Sequence, residues 1–183
     1  YKRQAEQYER MTNDFWETEK KSIFHCDAAE DFDFSQYYDT FDTIFTSPPY
    51  FNIERYGTDD TQSWVRYKDI DSWNYQFLQK ALDNMIPTLK SGGKLCVNIS
   101  DVNAKTKGGA QYLKICDPMN EFLDEYRDME YIGCIGMEMA KRPNSGGAGT
   151  AKDNTQFKEK TLEMVEKNKD KRFCEPIWIW EKK

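Results

Sequence analysis

The chain has one histidine among 183 residues, and its five cysteines include no Cys-x-x-Cys pair. Cys26, Cys96, Cys116, Cys134 and Cys174 lie far apart. That spacing excludes the usual zinc and redox centres; no metal site is expected, and the thiols read as reduced and buried. His25 reads as a strand residue rather than a catalyst. No apolar run approaches the about eighteen residues of a membrane span, and the start (YKRQAEQYERMTNDFW) is charged throughout with no apolar signal region. No membrane partner is expected, and a cytoplasmic location is. A basic surplus is also missing. The net charge is −6, against the basic footprint usual for nucleic-acid binders. The charge is uneven, however: residues 1–140 carry 15 Lys/Arg against 25 Asp/Glu, whereas 141–183 carry 11 against 7. Contact with a polyanion is therefore expected near the C-terminal segment or on chain outside this one. No internal repeat is present.

What is present suits a folded domain, since 38% hydrophobic and 15% aromatic residues supply a core. Residues 3–20 place Tyr8, Met11 and Phe15 on a narrow apolar stripe of a polar helix. SIFHCDAAEDF (22–32) predicts a strand ending at Asp27, and FDTIFT (41–46) predicts a second. From Asp71 or Ser72 as cap, Trp73, Phe77, Leu78, Ala81, Leu82, Met85, Ile86 and Leu89 share one helical face, which Pro87 bends and Ser91-Gly92-Gly93 closes. KLCVNIS (94–100) is apolar on both parities except at Asn98, the pattern of a parallel strand covered on both faces. A Lys/Gly loop (104–109), a helix over 117–128, a strand at 130–140, a Gly-rich loop (141–155), a charged helix (156–171) and a strand PIWIW (176–180) complete the chain. Trp73, Phe77, Trp178 and Trp180 read as core. Strands alternating with helices predict an α/β protein with a mostly parallel sheet, whose ligands bind beyond the carboxyl ends of the strands.

Two such ends carry chemistry, Asp27 and Ser47-Pro48-Pro49-Tyr50. The two prolines cannot continue a ladder, and each restricts the residue before it, so the turn is stiff. Ser47 Oγ and the Pro48 carbonyl become fixed acceptors without competing N–H groups at 48 and 49, and Tyr50 offers an aromatic face. That set suits a planar heterocycle with an exocyclic amino group. A plain strand-ending turn is the alternative.

Ser-Pro-Pro-Tyr resembles the motif of the DNA amino-methyltransferases, in which Asp, Asn or Ser precedes Pro-Pro and an aromatic residue. HCDAAEDF is similar to the acidic strand end before that motif, LKSGGKLCVNISD to the helix, glycine turn and strand after it, and CEPIWIWEKK to the terminal strand. The resemblance implies a Rossmann-like S-adenosylmethionine-dependent methyltransferase fold acting on cytosine N4 or adenine N6 of a flipped DNA base, with Ser tilting the choice to cytosine. It implies catalytic roles for Ser47, Pro48, Pro49 and Tyr50, cofactor contact at Asp27 and Ala28, and DNA contact at Phe51, Asn52, Lys105, Lys107, Lys141 and Arg142. For Asp27 the alternative is an Asp27-x-x-Glu30 helix cap, and for the basic residues solvated loop charge. No Pro-Cys pair of the cytosine-C5 enzymes is present. The family's glycine-rich cofactor loop is not found before Asp27. It is expected upstream of Tyr1, with NSGGAGTA (144–151) as the alternative, so residues 1–183 read as one catalytic domain or the C-terminal part of a longer one. RNA or a protein glutamine amide as acceptor, a homodimer or partner subunit, and an inactive DNA-binding subunit remain open.

Overall fold

A computed structural model describes residues 23–106, 109–138 and 174–183, together with Glu6, Gln7 and Arg10, which are helical and exposed. The expected loop at 141–155 and helix at 156–171 lie outside the described residues, as do Lys107, Lys141, Arg142 and NSGGAGTA.

Phe41–Thr46 forms strand β1, as its β-branched and aromatic residues favour. The prolines end it. The crossover from β1 contains helix α1 (Ser63–Arg66) and then a continuous helical run: α2 (Ile70–Trp73), a π-helical segment (Asn74–Gln79), α3 (Lys80–Met85) and a 3-10 turn (Ile86–Thr88) that holds Pro87. The cap is Asp69 rather than Asp71 or Ser72: its carboxylate accepts from Ser72 N at 2.8 Å and Ser72 Oγ at 2.8 Å. This run returns the chain to β2 (Leu89–Asn98), which lies parallel to β1. Ser91-Gly92-Gly93 is not a turn after the helix but a bulge within β2. Phe41 pairs Leu89, yet Thr43 already pairs Lys94. Gly92 takes φ 78°, and a Cβ on Gly93 would sit 2.9 Å from the Lys90 carbonyl oxygen, so both glycines are needed here.

After β2, a hairpin of β3 (Val102–Thr106) and β4 (Gly109–Leu113) leads to α4 (Cys116–Glu125), β5 (Met129–Glu138) and β6 (Cys174–Lys182). The sheet order is β1-β2-β6-β5. β6 runs antiparallel to both β2 and β5. The sheet is therefore mixed and mostly antiparallel, which corrects the expected mostly parallel arrangement. The cause is the last strand: a helical crossover enforces parallel pairing between β1 and β2, whereas β6 inserts between strands running the other way.

One face of the sheet is covered. Leu95 and Val97 of β2 and Trp178 and Trp180 of β6 are fully buried against Trp73, Leu78, Leu82 and Ile86 of the helical run and Met119 and Leu123 of α4. Each such side chain contributes about 1.5–3 kcal/mol through its removal from water. The other face is more open, with Lys94 and Cys96 half-buried and Phe45 and Ile135 62% and 56% exposed. The expectation of a β2 covered on both faces does not hold among the described residues.

The strand expected to end at Asp27 is absent among the described residues. Residues 23–34 form a loop with a turn, in which Asp31 N and Phe32 N donate to the Ala28 carbonyl at 3.0 and 2.9 Å. His25 is on that loop, its Nε2 2.7 Å from Tyr37 Oη. Glu30 turns inward, where it accepts from Arg66 Nη1 at 2.8 Å and Tyr67 Oη at 3.2 Å rather than closing a capping box with Asp27.

Candidate active site

β1 delivers Ser47-Pro48-Pro49-Tyr50 to its carboxyl end, beside the carboxyl end of the parallel β2. Ser47 is exposed, Pro48 buried, and Pro49 and Tyr50 half-buried. The turn is braced from three sides. Ser47 Oγ donates to Asn98 Oδ1, at the end of β2, at 3.3 Å. Tyr50 N donates to Glu54 Oε2 at 3.2 Å, and Phe51 N to the Pro49 carbonyl at 2.9 Å. Tyr50 Oη donates to Glu175 Oε1 at 2.6 Å. Burial, and secondarily the Glu175 carboxylate, push the Tyr50 phenol far above its ordinary range, so it remains a donor. Its ring packs partly against the core.

β6 enters the site because it is antiparallel to β2. Its amino end, Glu175-Pro176, lies beside Asn98, whose Nδ2 donates to the Pro176 carbonyl at 3.3 Å. Asn98 and Glu175, 5% and 8% exposed, are the site residues that the sequence reading missed. Each had a signal: Asn98 is the lone polar residue inside an apolar strand, and Glu175 opens another.

The β3–β4 hairpin rises from the same end of β2. Asp101 anchors it, accepting from Ile115 N at 2.7 Å and Cys116 N at 2.8 Å, which caps α4, and from Tyr112 Oη at 2.7 Å. Lys105 is on this hairpin.

Other expected residues are placed differently. Phe51 is 6% exposed, with φ 43°, and packs edge-on to Trp73 at 6.2 Å between ring centroids. It is a core residue here, whereas Asn52 next to it is half-buried. Asp27 is exposed and Ala28 half-buried on the loop that replaces the expected strand. Asp27 therefore sits on a loop and not at the end of a strand. No cluster of metal ligands occurs among them, and no helix among them is long and apolar enough to cross a membrane.

A family model for N6/N4 methyltransferases, described as DNA methylase, matches residues 41–183. The chain belongs to this DNA methylase family. No curated protein matches it. Among solved structures, the methylase chain is similar to TTHA0409 of Thermus thermophilus, provisionally described as a DNA modification methylase and crystallised with S-adenosyl-L-methionine. The two are 16% identical with a TM-score of 0.51, over 86% of this chain and 54% of that one. A second crystal structure of TTHA0409 gives 16% identity and a TM-score of 0.50, over 86% and 52%. At this identity the likeness concerns the fold. The methylase chain spans about half the length of these structures.

Proposed function

We propose that this DNA methylase takes a methyl group from S-adenosylmethionine and places it on the exocyclic amino group of a DNA base, cytosine N4 favoured over adenine N6. The observation that carries the reading is the placement of Ser47, which is exposed at the carboxyl end of β1 on a turn fixed by two prolines and braced by Asn98. The cofactor, when bound, supplies an electrophilic methyl on sulfur. The chain's own residues deal with the amine. Its nitrogen is a poor nucleophile while its lone pair is delocalised into the ring. Accepting its two N–H groups on Ser47 Oγ and the Pro48 carbonyl favours a pyramidal nitrogen with a localised lone pair. Such acceptors act mainly in the transition state, and the stiffness of the turn supplies the positioning.

Tyr50 supports the captured base. The ring is held by the core on one side and by Glu175 at its hydroxyl, so base stacking needs no reordering of the side chain. Stacking of this kind returns about 1–3 kcal/mol, comparable to the cost of extruding a base. Asn52 and Lys105, with Lys107, Lys141 and Arg142, are assigned to DNA contact, Lys105 because its hairpin leaves the rim of the site. Phe51 supports them from the core. Asp27 and Ala28 are assigned to the cofactor side, together with chain beyond the described residues. The cytosine preference rests on Ser47, a neutral acceptor in the position where Asp more often accompanies adenine N6 in the family.

The full-length protein, incubated with labelled S-adenosylmethionine and unmethylated DNA, is expected to label the DNA. Digestion to nucleosides and mass spectrometry are expected to give N4-methyl-2′-deoxycytidine. N6-methyl-2′-deoxyadenosine alone would overturn the cytosine preference and leave amino-group transfer standing. Label on RNA or on a protein glutamine would move the acceptor, and DNA binding with no transfer would identify a subunit that needs a catalytic partner.

A further inference from the structure

Ser47 is useful as an acceptor only if its own proton points away from the base. A serine hydroxyl carries one O–H and two lone pairs, and its rotor is free unless something fixes it. A freely rotating Ser47 could turn its O–H toward the amine nitrogen and hydrogen-bond to the lone pair that has to attack. That contact would protect the nucleophile from reacting.

The surroundings of Asn98 remove this freedom, step by step. Pro176 lies at the amino end of β6 and has no N–H, and its carbonyl can only accept. Asn98 Nδ2 lies 3.3 Å from that carbonyl oxygen. Of the two amide orientations, only the one with NH2 toward Pro176 makes a hydrogen bond, so Oδ1 must face Ser47. An amide oxygen can only accept. Ser47 therefore donates to it, at 3.3 Å, and its proton is directed inward. Both lone pairs are left for the exposed side, from which an amine would arrive. Asn98 is 5% exposed and paired through the β2–β6 ladder opposite Ile177, so the amide has little room to turn.

We infer that Asn98 is a positioning residue that fixes the polarity of the Ser47 hydroxyl, with the Pro176 carbonyl fixing Asn98 in turn. The inference rests on the proposed transfer to an amino group. It assigns Asn98 no contact with the base.

The test separates polarity from structural support, because two substitutions are expected to rank oppositely. Asn98→Asp still accepts the Ser47 proton but turns a carboxylate toward the Pro176 carbonyl in a buried place, so it lowers stability more than the apolar Asn98→Leu. In single-turnover methyl transfer to DNA by the full-length protein, below the melting point of every variant, Asn98→Leu should slow the step about tenfold, and Asn98→Asp should keep at least about half the rate. Dissociation constants for S-adenosylmethionine and DNA should stay within about twofold for both variants. In a Ser47→Ala background, adding Asn98→Leu should cost less than about twofold more, since the group it acts through is gone. Wild-type rates in Asn98→Leu, rates that follow melting temperature, or losses that multiply in the double variant would each overturn the inference while leaving the proposed function intact. Should Asn98→Asp fail to fold, Asn98→Leu and the double variant still decide. A wild-type protein that transfers no methyl group would remove both.

Discussion

Tyr50 Oη and Glu175 Oε1 lie 2.6 Å apart across 125 positions of sequence, joining the proline turn at the end of β1 to the start of β6. The carboxylate is 8% exposed, so its partner matters more than its charge. Tyr50→Phe keeps the ring but leaves Glu175 buried without that donor, and should cost about 1–3 kcal/mol in urea unfolding. Glu175→Gln keeps an acceptor for the phenol and should cost about 1 kcal/mol. The Tyr50 pKa is raised in the fold, so the bond's contribution is complete below the unfolded phenol's ordinary value near 10. The difference between wild type and Tyr50→Phe should therefore stay flat between pH 7 and 9, by measurement at about five values.

On the proposed mechanism, Ser47→Ala removes an acceptor used mainly in the transition state. Turnover should fall about a hundredfold or more, while affinity for S-adenosylmethionine changes by less than about twofold. Ser47 is exposed, but its O–H is the donor to the buried Asn98 Oδ1, so the melting temperature should also fall by about 2–4 °C. Tyr50→Ala should instead weaken both DNA capture and rate, as steady-state kinetics over a DNA concentration series would resolve.

Asp101 holds two backbone N–H groups and one phenol, all within 2.8 Å. Asp101→Ala leaves the α4 amino end uncapped and should destabilise by about 2–4 kcal/mol in denaturant unfolding. Asp101→Asn should cost roughly half as much, because its oxygen still serves the two N–H groups.

Asp117 lies in the first turn of α4, where the helix dipole favours a negative charge, yet its pKa is raised by burial and by the Asp101 carboxylate, with Lys114 opposing at 3.7 Å. Its Oδ1 is buried without a hydrogen-bond partner among the described residues. A carboxyl with a raised folded pKa favours the fold while protonated and loses that advantage as pH rises from the ordinary value, 3.8, through the raised one. Asp117→Asn should therefore melt about 2 °C higher than wild type at pH 7, with the gain vanishing near pH 3, by calorimetry.

The legibility of this chain in its sequence follows the range of each interaction. The helical run over 70–88 is plain in the apolar spacing from Trp73 to Leu89, and β6 is plain in PIWIW, because burial periodicity is written locally. The direction of β6 is not: alternation fixes which side chains face the core, not which way a neighbour runs. Ile23 and Phe24 have the composition of a strand but lie exposed on a loop, and Gly92-Gly93 imitates a helix stop while forming a bulge. At the site, the stiff turn that ends β1 could be read from Ser-Pro-Pro-Tyr itself. Its braces could not, since Asn98 is 51 positions away from Ser47 and Glu175 is 125 away from Tyr50.

The antiparallel insertion of β6 also sets when the site comes into being. On the ribosome, β1, the helical run and β2 emerge first and can pair, so the proline turn exists early. The Glu175 carboxylate that tethers Tyr50 and the Pro176 carbonyl that holds Asn98 are synthesised well after them. Closing contacts of such sequence separation is slow compared with forming the helices. A nascent chain ending before Cys174 carries the whole Ser-Pro-Pro-Tyr motif while Tyr50 still lacks Glu175 and Asn98 still lacks the Pro176 carbonyl, until β6 inserts between β2 and β5.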